Sequence, residues 1–311
     1  MVMLRQFKYQ DITWIDLEAP TTEEVKQLAQ DYNLPEMISQ ELVTPSLRPK
    51  ADLYPGFIYL ILHFPRCQIC YGDERSSGQS DSQEIDFIIG KNFLITTHYE
   101  LIDSLHELSK IFEIKPTWMD RDFKFNAGLV FFHIVKQMYS ELAIGFDFIN
   151  SRLKKAEVAV FAGGQREMVR ALSDINRDML DCRWALRGHH EVLESFAQAG
   201  IELFGEKFKH YPYALLGEYG KIWQMIESNR ATFQDLRQTN ESLLSVRTNE
   251  IMKTLAVTAF IFFPLTLITQ IFSMNTHLPL VGSNGDFYFV LGLMAVVLGL
   301  MFTLAKNRQW L

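Results

Sequence analysis

The sequence predicts an α/β N-terminal domain, then long stalk helices, then two transmembrane helices at the C-terminus. Three observations predict it. Residues 254–272 and 287–305 contain no charged residue, and each run has about the ~20 residues a helix needs to cross hydrocarbon. The chain as a whole is 22% charged and 48% hydrophobic over 311 residues, so the apolar content is segregated rather than spread. Strand-like alternation is confined to the first 118 residues, and helical periodicity dominates after them.

Within the N-terminal part, residues 4–9 and 12–17 read as short strands, with Trp14 and Ile15 among their apolar members. Thr21 and Thr22 precede Glu23 and Glu24, a helix-start pattern, and Val25, Leu28 and Ala29 supply one apolar face. A second short helix is expected from Pro35. Residues 57–64 read as a strand. Residues 71–84 are polar and rich in Gly and Ser, and read as a loop. A hairpin follows: residues 84–89, a turn at Gly90 and Lys91, and residues 92–97. The domain is expected to end near residue 118.

Three long helices follow, over residues 120–161, 165–200 and 207–253, separated by Gly163-Gly164 and by residues 200–205. In the last, Ile222, Ile226, Phe233, Leu236 and Leu243 form a seam that also holds Asn229 and Asn240. Such a seam fits either association between subunits with a fixed register or packing inside one subunit. No helix breaker falls within residues 221–263, so the stalk should run unbroken into the first span. The expected organisation is an α/β domain over 1–118, a long-helix region over 119–252, spans over 253–272 and 287–305, a connecting loop over 273–286 and a basic tail over 306–311.

Arg247 and Lys253 precede the first span, Lys306 and Arg308 follow the second, and residues 273–286 hold no Lys or Arg. The positive-inside rule then puts both termini in the cytoplasm and the connecting loop outside; the expected location is a cell's inner (plasma) membrane, crossed more than once. The first ten residues lack the apolar core of a signal peptide, so no cleavage is expected there. A net charge of −7 gives no reason to expect a nucleic-acid partner. Cys67 and Cys70 form a CxxC pair with His63 four residues before it, but one pair does not make a four-ligand zinc site, and chance spacing is the better reading.

The C-terminal segment carries a family resemblance. Asn249, Glu250, Met252 and Lys253 lead into the first span; Pro264, Leu265 and Thr266 stand in its middle; Ser273, Met274 and Asn275 end it. Leu278 and Pro279 lie in the loop, and Lys306, Arg308, Trp310 and Leu311 close the chain. This arrangement resembles the CorA family of metal-ion transporters. The resemblance implies a homopentamer with a funnel-shaped cytoplasmic part. The first membrane helix of each subunit would line one central pore, and the second would face membrane lipid. It implies passive transport of divalent cations, Mg²⁺ first, and no enzymatic activity. It also implies regulatory Mg²⁺ held by acidic residues between subunits; Glu218, Asp235, Asp81, Glu84 and Asp86 are weak candidates, since most acidic residues are solvated surface.

Two departures bear on the ion. The family's signature Gly-Met-Asn is Ser273-Met274-Asn275 here, and serine resists backbone conformations that glycine allows. Where the family loop carries glutamates, this chain has Thr276, His277 and Leu280, leaving Asp286 as the acid near the mouth. An acid-poor loop is similar to the ZntB branch, for which zinc transport coupled to protons is the alternative. A membrane-anchored scaffold is a third reading, opposed by the polar side chains within the span.

The residues fit cation passage on chemical grounds. Mg²⁺ sheds water reluctantly, so a ring of Asn275 carboxamides can accept hydrogen bonds from the hydrated ion. Helical spacing inward from Ser273 gives Gln270, Thr266, Phe263, Ala259, Met252 and Asn249, polar outside and apolar further in. Ser273, Met274, Asn275, Gln270 and Thr266 are thus the expected selectivity face, and Phe263, Ala259, Met252 and Asn249 the expected gate, closing by dewetting. For Thr266, hydrogen bonding to its own helix is an equal alternative. At the outer mouth, His277 could bind zinc when neutral and repel cations when protonated, below about pH 6.5.

Overall fold

The computed structural model describes residues 3–46, 48–65, 82–114, 125–273 and 286–308. It divides into two units, Met1–Leu236 and Arg237–Leu311.

The first unit is built on a six-stranded sheet. The strands are β1 (Met3–Tyr9), β2 (Ile12–Glu18), β3 (Lys50–Tyr54), β4 (Phe57–Pro65), β5 (Ser82–Gly90) and β6 (Phe93–His98), in the order β1-β2-β6-β5-β4-β3. All pairs are antiparallel except β2 with β6, where Thr13 stands opposite Phe93 and Glu18 opposite His98. The tight β5–β6 connection is Lys91-Asn92, one residue later than the Gly90-Lys91 turn expected, because Gly90 still pairs with Phe57. β3 was not expected. It is a short edge strand whose residues are half-exposed or exposed, so it lacks a clean alternation.

The loop expected at 71–84 ends earlier than its polarity suggests. Ser82, Gln83 and Glu84 already belong to β5, and Glu84 is tolerated there because the backbone N–H of Ser46 donates to its carboxylate at 2.8 and 2.7 Å. Residues 71–81, with Asp81, and the pair Cys67 and Cys70 lie outside the described residues.

Helices α1 (Thr22–Tyr32) and α2 (Glu36–Glu41) cover one face of the sheet. Thr21 caps α1 in a capping box: its hydroxyl accepts from the Glu24 N–H, and the Glu24 side chain accepts from the Thr21 N–H. Asn33 ends α1 in the left-handed conformation, at φ 53°. Val25, Leu28, Ile38 and Leu42 meet Ile15, Leu17, Tyr59, Ile61, Ile88 and Ile95 of the strands.

The opposite face is covered by α3 (Asp103–Ile114), α4 (Ala127–Phe161), α5 (Gln165–Leu186) and α6 (His189–Phe204). Phe87 meets Phe131 edge to face at 5.0 Å between centroids, both fully buried. Burying such a ring is worth about 1.5–3 kcal/mol over leaving it exposed. Asn126 caps α4 by accepting from Leu129 N at 3.0 Å, so α4 begins at Ala127. The single helix expected over 165–200 is two, broken at Arg187-Gly188. There the chain turns onto β3 and β4, and a Cβ on Gly188 would lie 2.5 Å from Pro49 Cγ. α6 ends at Gly205, which has φ 90° and donates its N–H to Ile201 O.

A 3₁₀ turn, Glu206–Lys209, leads into α7 (His210–Ser273), one continuous helix of 64 residues. Pro264 lies inside it. The seam of its first part is buried at Ile222, Ile226, Phe233 and Leu236, and Asn229 Nδ2 donates to Phe146 O on α4 at 3.3 Å. The amide at Asn229 is therefore used inside the subunit. Ring contacts of Phe132 with Tyr211 and of Tyr139 with Tyr219 show that α4 and this part of α7 run parallel. The last helix is α8 (Asp286–Asn307).

Candidate ion-conducting helix face

Both α7 and α8 contain a stretch long and apolar enough to cross a membrane. Their side chains are mostly exposed, as for surfaces meant for lipid or for other subunits. Shielded positions fall on one stripe of each helix. On α7 they are Val257, Ile261, Pro264, Leu265, Ile268 and Phe272; on α8 they are Val290, Met294, Val297, Met301 and Ala305. Val257 and Ala305 are the two fully shielded members. The recurrence at three and four residues marks the faces by which the two helices shield one another.

The residues expected to line a conducting path lie elsewhere on α7. Asn249, Met252, Ala259, Phe263, Thr266, Gln270 and Ser273 are all exposed, with Met252 at 59% and Phe263 at 73%. At about 100° per residue, this set centres roughly opposite the shielded stripe. One face of α7 thus turns to α8 and the other carries the polar-outside, apolar-inside series. Met274, Asn275 and His277 lie outside the described residues.

Thr266 donates its hydroxyl to Phe262 O at 3.0 Å, so the self-bonding alternative holds for its proton. Thr254, Thr258 and Thr269 make similar bonds to Glu250, Thr254 and Thr266 carbonyls. Such bonding leaves the oxygen lone pairs as the only free function of the hydroxyl. A hydrated cation presents donors, so a self-bonded threonine meets it as an acceptor.

The first unit holds polar groups of another kind. Among the described residues, no group of three or more His, Cys, Asp or Glu side chains is arranged to hold a metal ion. Glu218 pairs with Lys221 at 2.9 Å, and Asp235 is exposed. Glu84 and Asp86 are buried on the sheet, so they offer no surface for an ion between subunits. Cys182 is buried on α5, at 1% exposure.

An α/β domain leading through a single helix into two terminal helices of membrane-spanning length and composition is the plan of a membrane protein. The sequence profile described as CorA-like Mg²⁺ transporter protein matches residues 9–306. The chain belongs to that family, and is a divalent-cation transporter of the CorA type. The metal ion transporter YfjQ of Bacillus subtilis is 25% identical over 300 residues, covering 96% of this chain and 89% of YfjQ. The solved CorA magnesium transporter of Methanocaldococcus jannaschii superposes with a TM-score of 0.80 at 19% identity, covering 98% of this chain and 93% of that one. The cytoplasmic domain of ZntB from Vibrio parahaemolyticus superposes with a TM-score of 0.51 at 18% identity, over 75% of this chain and 89% of that domain.

Proposed function

We propose that this protein is a homopentameric, multi-pass channel of the inner (plasma) membrane with both termini in the cytoplasm. In this reading it passes hydrated Mg²⁺ down its gradient along the exposed face of α7. The observation that carries the reading is the split of α7 into two opposite faces. The stripe toward α8 is wholly apolar, while the free stripe is polar at Thr266, Gln270 and Ser273 and apolar at Phe263, Ala259 and Met252. Polar side chains inside a span are costly unless they face water or another polar group. A fivefold arrangement of this free face supplies the water. Asn249 marks its inner end, Ser273, Met274 and Asn275 its outer end, and α8 meets lipid.

The test is uptake into liposomes holding matched amounts of assembled protein. Asn275→Ala should abolish selective divalent uptake, because it removes every carboxamide acceptor from the ring. Wild-type flux and ion preference in Asn275→Ala would sink the pore assignment.

A second reading is favoured by a specific observation: the loop carries Thr276 and His277 where acids gather cations in the family. It is Zn²⁺ transport coupled to protons. Measuring Mg²⁺ against Zn²⁺ flux with and without an imposed proton gradient separates the two. Zinc preference, gradient dependence and a pH profile flattened by His277→Ala would favour the second.

A further inference from the structure

α4 and α5 form an antiparallel hairpin, joined across its width by Arg152 Nη1 donating to Asp178 Oδ2 at 2.6 Å. Residues 162–164 turn the chain. Gly163 adopts φ 99°, its N–H donates to Val160 O at 3.3 Å, and the Gly164 N–H donates to Ala159 O at 2.9 Å. This pair of bonds is the Schellman motif, which caps α4 and fixes the turn. The hairpin tip is thus a rigid scaffold for whatever side chains it carries.

Those side chains are not used by the hairpin itself. Val158 is 71% exposed, Phe161 66% and Val169 53%. Val158 and Phe161 are three residues apart on α4, so they share a face. Counting inward from the Arg152–Asp178 pair, Val169 falls at the level of Phe161. A single exposed apolar side chain is ordinary, whereas three on one rigid tip make a patch that the subunit leaves uncovered.

Cations surround that patch. Lys154 and Lys155 on α4, and Arg166 and Arg170 on α5, are all exposed. None of the four has an ion pair or hydrogen bond among the described residues. Away from the tip, by contrast, Arg152, Arg183, Arg230 and Arg237 are all paired with acids. Arg166 and Arg170 stand four apart, where like charges repel, and near the start of α5, where the helix dipole disfavours cations. Glu157 and Glu167 are the acids of the segment. Residues 154–170 thus hold four bases against two acids, in a chain of 30 bases and 37 acids.

The order along the hairpin has the form of a membrane interface. Phe161 lies at the apex, and Lys154 and Lys155 are set back six or seven residues, about 10 Å of helix. An apolar group lying about 5–10 Å into the headgroup and acyl boundary leaves cations so placed among lipid phosphates. α4 and the first part of α7 run parallel, so the turn lies at the end of the first unit from which α7 departs. The membrane-length stretch follows in that same helix.

We propose that the α4–α5 hairpin tip docks on the anionic headgroup surface of the membrane that the chain spans. Phe161 and Val158 enter the acyl boundary, and Lys154, Lys155, Arg166 and Arg170 meet lipid phosphates. A second copy of the chain would have to present an apolar hollow ringed by acids to satisfy the same side chains, whereas a charged leaflet presents that combination everywhere. Docking presupposes that the chain is anchored in a membrane and is independent of the pore reading. It gives the first unit an attachment to the bilayer besides α7, of a strength set by lipid charge and weakened by salt.

The experiment uses the full chain in detergent, in phosphatidylcholine nanodiscs and in nanodiscs that also contain phosphatidylglycerol. Acetylation of Lys154 and Lys155, measured against exposed Lys26 of α1, should be slowest with phosphatidylglycerol. Hydrogen exchange over residues 162–168 should slow in the same sample and recover at high salt. Arg166→Gln combined with Arg170→Gln should lower the docked-to-free ratio by about fivefold for each charge removed. Phe161→Ser combined with Val158→Ser should abolish the slowed exchange. All four substituted side chains are exposed, so the buried seam of the hairpin is left intact. Equal rates in all three samples would overturn the proposal. Slowing that is the same in detergent as in either lipid would mean that another copy of the chain covers the tip, and slowing by inorganic phosphate in detergent would mean a free anion site; each overturns it. So would Phe161→Ser with Val158→Ser behaving as the wild type.

Discussion

The hydroxyl of Tyr139 lies 2.7 Å from Nδ1 of His189, and the opposite ring nitrogen of His189 lies 2.8 Å from the carbonyl of His63. The carbonyl can only accept, so Nε2 carries the proton and Nδ1 accepts from the tyrosine. One imidazole thereby joins α4, α6 and β4 where none of them can reach water.

Tyr139→Phe removes the donor to a buried nitrogen. A lost partner of this kind costs about 1–3 kcal/mol. Denaturant unfolding of the detergent-solubilised protein should show that loss. A midpoint equal to the wild type would mean the bond contributes nothing.

Acid should weaken the first unit through two histidines. Burial lowers His189 to about 3, and burial with nearby Lys136 lowers His133 to about 4. The unfolded chain binds these protons near the ordinary 6.5, so their stabilisation is full above that value and is lost as pH falls toward the folded values. His189→Gln should shallow the acid limb of a stability–pH curve. An unchanged limb would assign the acid sensitivity to other groups.

Gly128 on α4 and Gly200 on α6 approach the same buried ring. A Cβ on Gly128 would lie 2.6 Å from Phe208 Cζ, and one on Gly200 would lie 2.9 Å from Phe208 Cε1. Gly128→Ala should destabilise by about 1–3 kcal/mol through overpacking. Combining it with Phe208→Leu should return part of that loss, and additive effects would show that the ring is not what the methyl meets.

The local chemistry of this domain is legible wherever one segment determines its own structure. Thr21 with Glu24, Pro35, and the short apolar-rich runs of β2 and β4 each specify an element without help from elsewhere. The misses share a cause in tertiary contact. Lys50–Tyr54 becomes a strand because β4 offers an edge, and Asp103–Ile114 becomes a helix beside β1 and α4. Gly188 reads in the sequence as one tolerated glycine in a helix, yet Pro49 needs the space at its Cα. On α7, the spacing of Thr266, Gln270 and Ser273 is readable, whereas the shielded stripe from Val257 to Phe272 needs α8 in place.

Phe263→Ala and Met252→Ala each remove a large apolar side chain from the free face of α7. In the pore reading each should raise divalent leak in liposomes, since a wider dry constriction wets more readily. If both leave leak unchanged, the gate lies elsewhere.

Thr266→Val keeps the shape of the side chain and deletes its oxygen. It should lower divalent flux while leaving assembly intact, and Thr266→Ser should retain flux because serine can make the same bond to Phe262 O. Equal flux in the two variants would confine Thr266 to its own helix.

The one parallel pairing in the sheet sets an order on synthesis. β2 cannot be completed by its partner β6 until about eighty more residues have been made, so the first hairpin must wait with one edge open. Contacts that distant in sequence form slowly. The first long uncharged run begins only at Thr254, well after β6 and the helices that cover it. A ribosome translating this chain therefore exposes every strand of the sheet before it presents a segment that a membrane insertase would bind. The sheet can close in water before the chain is tethered, and a nascent chain stalled shortly before residue 254 should already carry it.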